Sequence, residues 1–266
     1  MKFDSAQKIP VFVGLAERKR PGGPGSLADS VIPRLEEKLD IRFSRESSRV
    51  ISKGHTSGFQ ALKFASEMFR KSDEDICLVC GVDSYLNARA LQWLDEHWRL
   101  KTEENSDGVI PGEAAAAVLL QKEVKPNGKP KVRIIGLGFG LEEASVLTEE
   151  PLLGLGLTEA ARAALESAGL EMHEVDFRIS DVTGESYGFK ELSLVEARLL
   201  RERKEDFPLW HCAESIGDTG AAAGICELIY AVHAFLKGYS PGKRAICFTS
   251  AVSEDRAVGV IERILN

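Results

Sequence analysis

The feature that most restricts the fold of this 266-residue chain is an internal repeat. Residues 54–71 read GHTSGFQALKFASEMFRK, and residues 217–238 read GDTGAAAGICELIYAVHAFLKG. Each stretch follows an apolar run, begins with Gly, one polar residue and Thr, and is followed by further strand patterns. We therefore expect two related units, each reading strand, turn, helix, strand, strand, with His55 and Asp218 in equivalent positions.

Short apolar strands alternate with amphipathic helices along both units, which is typical of layered α/β proteins. The predicted strands are Ile9–Gly14, Arg49–Ser52, Ile76–Gly81, Ala114–Gln121, Val132–Gly140, Val175–Val182, Leu209–Ala213, Ala245–Ser250 and Ala257–Ile264. The predicted helices are Ser26–Leu39, His55–Lys71, Asn87–Glu96, Leu157–Ala168, Lys190–Lys204 and a long helix from Thr219.

The repeat divides the chain into two halves, 1–124 and 131–266, joined by the Lys-, Pro- and Gly-rich segment 122–131. The second half has a strand and a helix before its strand at Val175. The first half has no equivalent before Ile9, so it is expected to lack its initial strand and helix.

Composition excludes several classes of protein. A net charge of -7 and a pI near 5.4 give no electrostatic footprint for nucleic acid or an anionic membrane. The start resembles no leader peptide, and the most apolar helix is interrupted by Glu227 and His233, so a soluble cytoplasmic protein is expected. Because GLGFG at residues 136–140 is not followed directly by a helix, no dinucleotide cofactor is expected.

The five cysteines are dispersed, as expected for reduced thiols in a cytosol. Cys77 and Cys80 form a C-x-x-C pattern, but the surrounding ICLVCGVDS reads as a buried strand. Residues three apart on a strand point to opposite faces, and neither a second Cys pair nor a nearby His completes four ligands. The sequence therefore predicts core packing rather than a metal site.

Three motifs resemble a known family: GVDSY at residues 81–85, NSDGVIPGEAAAAVLL at 105–120 and SIGDTGAAAG at 215–224. With the repeat, they resemble the β-ketoacyl-acyl-carrier-protein synthases of the thiolase-like superfamily. The resemblance implies a layered α/β/α/β/α fold built from two similar halves. It also implies fatty acid or polyketide biosynthesis, in which a Cys nucleophile and two His residues condense an acyl thioester with a malonyl carrier.

The catalytic positions of that family are replaced in this sequence. HTSGFQAL places His55 where the nucleophilic Cys belongs, and AESIGDT places Asp218 at a His and Ala213 at a Lys. DVTGES places Asp181 at the other His, although a gap would shift this position to Glu185.

These replacements affect the chemistry directly. Condensation needs a thiolate to carry the acyl group and donors to stabilise an enolate, and a carboxylate at Asp218 would face that enolate with like charge. His55 and Asp218 are instead expected to pair as imidazolium and carboxylate. The sequence thus favours a non-condensing subunit, or a module that binds an acyl group or a carrier protein.

An enzymatic alternative stays open. His55 with Asp218 or Asp181 would serve as base and orienting group in a thioester hydrolase, a decarboxylase or an acyltransferase. Ser57 is one candidate nucleophile, but it matches the small residue that lies beneath the reactive group in the family.

The resemblance also implies partners. Relatives pair through the strand before the nucleophile helix, here Arg49–Ser52, so a homodimer or a heterodimer with a thiolase-fold subunit is expected. An acyl carrier protein would need a local basic patch. A first half without its initial strand would also expose a neighbouring strand edge, which a second copy or a partner chain would cover.

Overall fold

The computed structural model of the chain describes residues 8–122 and 131–264. The predicted connection between the halves lies almost entirely in residues 123–130, outside the described part.

The described strands form two sheets, one in each half of the chain. The first contains β1 (Val11–Leu15), β2 (Arg49–Ser52), β3 (Ile76–Ser84) and β4 (Glu113–Gln121), in spatial order β2-β1-β3-β4. The second contains β5 (Lys131–Leu141), β6 (Phe177–Ser180), β7 (Leu209–His211), β8 (Arg244–Ser250) and β9 (Asp255–Ile264), in spatial order β5-β9-β8-β6-β7.

Seven α-helices connect these strands in the described residues. They are α1 (Leu27–Leu39), α2 (Ser57–Lys71), α3 (Ala88–Glu96), α4 (Leu155–Ala168), α5 (Ser186–Leu199), α6 (Ala213–Ile216) and α7 (Ala223–Lys237). A 3-10 turn precedes both α2 and α7, at Gly54–Thr56 and Gly220–Ala222.

The two sheets are related by the repeat. In the first sheet, β1 pairs in parallel with β2 and β3, and β4 pairs antiparallel with β3. In the second sheet, β6 pairs in parallel with β7 and β8, and β9 pairs antiparallel with β8. Only the second sheet has a further strand in the described residues, because β5 pairs antiparallel with β9 on the side away from β8. In the described residues of the first half, β5 and α4 have no counterparts, as the sequence predicts.

Helices α2 and α7 lie between the sheets. One buried cluster joins Phe59 of α2 and Ile225 of α7 to Phe12 in the first sheet and Phe177 in the second. A Cβ on Gly58 would lie 3.1 Å from the Ile225 side chain, which shows how closely the helices approach. This is the thiolase-like layered α/β architecture expected from the sequence.

One described helical stretch, Gly220–Lys237, is long and apolar enough to cross a membrane. It is the 3-10 turn together with α7, and 61% of it is buried inside the structure. Its apolar character is that of the core helix between the two sheets.

Some predicted elements are misplaced. Helix α5 begins at Ser186 rather than Lys190 and ends at Leu199 rather than Lys204. The backbone N–H and the hydroxyl of Ser186 donate to the carboxylate of Asp107, at 2.6 and 2.7 Å. That contact, made across the two halves, fixes the start of the helix and has no local sequence signal.

The C-x-x-C pattern lies in β3, as predicted. Cys77 packs in the core between the sheets, whereas Cys80 packs on the outer face against the cluster that contains Val13. The two thiols therefore point to opposite faces of the strand.

Candidate functional site

His55 lies in the 3-10 turn between β2 and α2. Gly54 adopts a left-handed φ of +57°, and a Cβ at this position would collide with the carboxylate of Glu17. Beneath the turn, the Ser57 hydroxyl accepts from the Lys53 N–H at 2.8 Å and donates to the Leu15 carbonyl at 2.9 Å. Since both roles of this buried hydroxyl are occupied, Ser57 supports the turn and is not a free nucleophile.

Asp218 precedes the equivalent turn in the second half. Its backbone is held by the segment before β4, because Asp218 N–H donates to the Ile110 carbonyl at 2.7 Å and Gly112 N–H donates to the Asp218 carbonyl at 2.9 Å. Its Oδ1 accepts from Gly220 N–H at 2.9 Å, so the side chain also caps the turn.

The two predicted residues meet at the centre of the site. Nε2 of His55 lies 2.8 Å from Oδ1 of Asp218, and the two side chains are 6% and 3% exposed. The expected contact between the equivalent positions of the two halves is confirmed. The other ring nitrogen, Nδ1, is buried and has no hydrogen-bond partner among the described residues.

The charges around His55 favour its protonated form. Burial would lower its pKa, but the charge and hydrogen bond of Asp218, together with Asp181 and Glu17, raise the pKa of His55 to about 9. For Asp218, burial acts in the opposite direction, and the nearby imidazolium and its hydrogen bond hold the pKa below its usual value. The contact is therefore a buried ion pair at neutral pH.

Asp181 and Glu185 line the same pocket, together with His55, Asp218 and Ser250. The volume of this pocket, including its open mouth, is about 510 Å³. Oδ2 of Asp181 accepts from Ser250 N–H at 2.8 Å. Burial raises the pKa of Asp181 to about 7, with the His55 charge acting against that increase. Asp181 is thus a group that titrates near neutrality.

Glu185 is already paired. Its two carboxylate oxygens accept from Nε and Nη2 of Arg99 at 2.8 and 2.7 Å. Sequence reasoning missed Arg99, because it lies 86 residues away in an unremarkable stretch and only the fold brings it into the pocket.

A second charged cluster that the sequence did not indicate lies behind the site. Arg20 forms a two-point ion pair with Asp83, at 2.8 and 2.5 Å, and its guanidinium lies 4.1 Å from the centre of the Tyr85 ring. Oδ2 of Asp83 also accepts from Ala221 N–H at 3.0 Å. This cluster therefore ties β3, in the first half, to the turn before α7.

Glu227 is the most unusual carboxyl group near the site. It is 1% exposed, and neither of its oxygens has a hydrogen-bond partner in the described part of the chain. Burial, reinforced by Asp181, raises its pKa well above the ordinary value. Glu227 shares a small cavity with Ala213, the position at which the resembled family has a Lys.

The chemistry available in the main pocket is limited by its residues. Its lining contains a His and several carboxylates but no cysteine among the described residues. Cys212 borders the neighbouring cavity, where burial, followed by the charge of Glu227, raises its thiol pKa to about 12. A thiol with that pKa is not ionised at neutral pH, so the site lacks a thiolate nucleophile.

A comparison with models of known protein families finds no match. Among curated proteins, the chain is 28% identical over 225 residues to the polyketide synthase GfsA of Streptomyces halstedii, covering 78% of this chain and 3% of that protein. It is 21% identical over 239 residues to a putative polyketide beta-ketoacyl synthase 1 of Streptomyces cyaneus, covering 85% of this chain and 55% of that one.

Solved structures show the same fold. An oxazolomycin ketosynthase domain, OzmH KS7 of Streptomyces albus, matches with a TM-score of 0.75 at 18% identity, covering 98% of this chain and 56% of its own. The ketosynthase ApeO in complex with its chain length factor ApeC, from Xenorhabdus doucetiae, gives a TM-score of 0.73 at 14% identity, covering 97% of this chain and 74% of that one.

The chain therefore has the thiolase-like fold of these ketosynthase structures and is similar in sequence to the polyketide synthase and the putative beta-ketoacyl synthase. The chain spans about half the length of the ketosynthase domain and of the putative beta-ketoacyl synthase that it matches.

Proposed function

We propose that this chain is a ketosynthase-like protein of polyketide or fatty acid biosynthesis that does not catalyse condensation. The observation that carries the proposal is the buried His55–Asp218 ion pair, at positions that correspond to a Cys and a His in the resembled family. Such a site has no thiolate to accept an acyl group.

The charge at the site also opposes the step of a condensation in which malonyl loses carbon dioxide and an enolate forms. An enolate forming in the pocket needs uncharged or cationic donors. Asp218 and Asp181 place carboxylates there, and the imidazole of His55 already donates to Asp218 at 2.8 Å. The other cation in the lining, Arg99, is paired with Glu185.

We further propose that the chain acts as the non-catalytic subunit of a thiolase-fold pair in the cytoplasm, or as a module that binds an acyl group or a carrier protein. Two of the similar structures contain a ketosynthase with a chain length factor, which makes a pair of thiolase-fold chains the natural assembly to test. Strand β2 lies at one edge of its sheet, where a partner strand would extend the sheet.

A second candidate is a hydrolase, decarboxylase or acyltransferase. One observation favours it: Asp181, with a pKa raised by burial to about 7, lies in the same open pocket as His55. A carboxylate that titrates near neutrality is suited to act as a general base.

The test is intact-protein mass spectrometry after incubation with acyl and malonyl thioesters, together with measurement of released carbon dioxide and free thiol. We expect no covalent acyl adduct and no turnover for the natural chain. The His55→Cys variant supplies a thiol at the same helix start and is expected to gain an acyl adduct, showing that the thioester reaches the pocket.

Acyl loading of the natural chain would overturn the proposal. Carbon dioxide or free thiol that is released by the natural chain and lost in His55→Ala or Asp181→Asn would establish the second candidate instead.

A further inference from the structure

We propose that the small cavity beside the main pocket binds a primary ammonium group, with the carboxylate of Glu227 as its counter-ion. This cavity, lined by Cys212, Ala213, Thr219 and Glu227 among others, is called the Glu227 cavity. The proposal concerns a ligand and not the condensation reaction, so it does not rest on the proposed function.

The lining of the Glu227 cavity is acidic. It contains three carboxyl groups, those of Asp181, Asp218 and Glu227, and no Lys, Arg or His of the described residues. Asp218 is neutralised from outside the cavity, because Nε2 of His55 lies 2.8 Å from its Oδ1. Glu227 differs, since neither of its oxygens accepts a hydrogen bond from the part of the chain that the structure describes. The cavity therefore presents an acceptor for a cationic donor.

Glu227 is held where solvent does not reach it. It lies in the second turn of α7, between the two sheets, and is 1% exposed. A buried carboxyl group without a donor destabilises a fold, so its presence in a folded chain points to a bound group that supplies the donor. An ammonium group beside Glu227 would donate to its oxygens and favour its ionised form.

The size of the Glu227 cavity limits what can enter. Its volume, including its opening, is about 240 Å³, and its enclosed part has room for about one group of the size of a water molecule. An ammonium group has that size. Ser180, Asp181, Thr183 and Asp218 line both this cavity and the main pocket, so the two spaces adjoin. A ligand with its ammonium group beside Glu227 can therefore extend its other end into the main pocket.

The acceptors around the cavity fit an ammonium group better than a divalent metal ion. Among the described residues, no three His, Cys, Asp or Glu side chains lie together in a way that would hold a metal. A primary ammonium group carries three N–H donors, which match the Glu227 and Asp181 carboxyl groups and the nearby Thr183 hydroxyl. A quaternary ammonium group has no N–H donor and is too large for the enclosed part.

The test is thermal unfolding of the full chain in methylammonium chloride, with potassium chloride and tetramethylammonium chloride at equal concentration as references. Methylammonium is expected to raise the unfolding midpoint by about 2–4 °C over potassium chloride once its concentration is roughly five times its dissociation constant. Tetramethylammonium, which has the same charge and no N–H donor, should give no such rise.

Variants assign the effect to the cavity. Glu227→Gln keeps the shape of the side chain and removes its charge, so the response to methylammonium should be lost. The matched control is Glu214→Gln, the same change at an exposed residue next to Ala213, which should keep the response. Ala213→Lys places a tethered ammonium group in the lining and is expected to raise the midpoint in potassium chloride and to abolish the response.

Two further salts distinguish the sources of the ammonium group. If butylammonium acts at a tenfold lower concentration than ammonium, the site takes the amine end of a longer ligand that extends into the main pocket. The reverse order assigns the site to the free ammonium ion. The proposal is overturned if methylammonium gives no rise over potassium chloride, if tetramethylammonium gives the same rise, or if Glu227→Gln or Ala213→Lys responds as the natural chain does.

Discussion

At the scale of residues, the site differs from an ordinary protein interior in the number of ionisable groups it buries. His55 and Asp218 satisfy each other, and the nearby buried pair Arg256–Glu191 does the same, with Nε of Arg256 2.7 Å from Oε1 of Glu191. Glu227 differs, because it is 1% exposed and both of its oxygens lack a hydrogen-bond partner among the described residues. The oxygens of Glu17 also lack partners there, but Glu17 is only half-buried. The paired carboxyl groups of Asp218 and Glu191 therefore stabilise the fold, whereas that of Glu227 does not.

Replacing Glu227 with Met is therefore expected to stabilise the protein. Met has a similar volume and no polar atoms to bury, so the cost of an unsatisfied carboxyl group, roughly 1–3 kcal/mol, is removed. Urea denaturation should show a higher midpoint with an unchanged slope.

The matched control is Glu191→Met. This change leaves the Arg256 guanidinium, whose side chain is fully buried, without its carboxylate. Loss of one partner of a buried ion pair costs about 3–5 kcal/mol. Equal destabilisation by the two variants would show that Glu227 has a stabilising partner in solution.

At the scale of elements, the centre of the molecule depends on the close approach of the turn before α7 to strand β3. Gly81 of β3 has no room for a side chain, since a Cβ there would lie 2.5 Å from the Ala221 carbonyl and 3.0 Å from Cα of Ala222. Small residues in both elements let the turn before α7 lie directly against the first sheet.

Ala222→Leu should consequently overpack this contact. Ala222 is fully buried, so the extra methylene and methyl groups must displace backbone, at a cost of about 1–3 kcal/mol in the free energy of unfolding. The cost is measured by chemical denaturation. A loss within error of zero would mean that the turn can move away from β3.

The elements that could be predicted are those with a local signal. Arg49–Ser52 is a short apolar strand that the structure reproduces with the same limits, and Gly169 ends α4 in the left-handed conformation expected of a helix stop. The sequence overestimates the end of α5, because the charged segment after Leu199 keeps a helical composition while its backbone is irregular up to β7.

The site was predictable only in part, for the same reason. His55, Asp218 and Asp181 follow from the repeat and the family motifs. Arg99, Arg20 and Glu17 reach the centre through long-range packing, and nothing in their local sequence distinguishes them from solvated charges.

At the scale of the whole molecule, the site should determine how stability depends on pH. His55 has a folded pKa near 9, above its ordinary 6.5, so its contribution is complete below pH 6.5 and is lost as pH rises through 9. Asp181 is raised from 3.8 to about 7, so the folded state also holds this proton more tightly and loses stability as pH rises through 7.

We therefore expect the thermal unfolding midpoint to fall between about pH 4 and pH 9, through Asp181 up to pH 7 and through His55 from pH 6.5 to pH 9. In Asp181→Asn the part of the decrease that lies below pH 7 should disappear, whereas the decrease from pH 6.5 to pH 9, which belongs to His55, should remain. A midpoint that rises across this range would contradict the assignment of both groups.

The most direct test of the central claim is an NMR titration of the His55 imidazole, assigned by its absence from the spectrum of His55→Gln. The account predicts a pKa above 6.5, approaching 9, in the natural chain, because Asp218 holds the imidazolium at 2.8 Å. It also predicts a clear decrease in Asp218→Asn, which keeps the shape of the side chain and removes its charge. A pKa of His55 below 6.5, or one that Asp218→Asn leaves unchanged, would contradict the claim that an ion pair occupies the centre of this site.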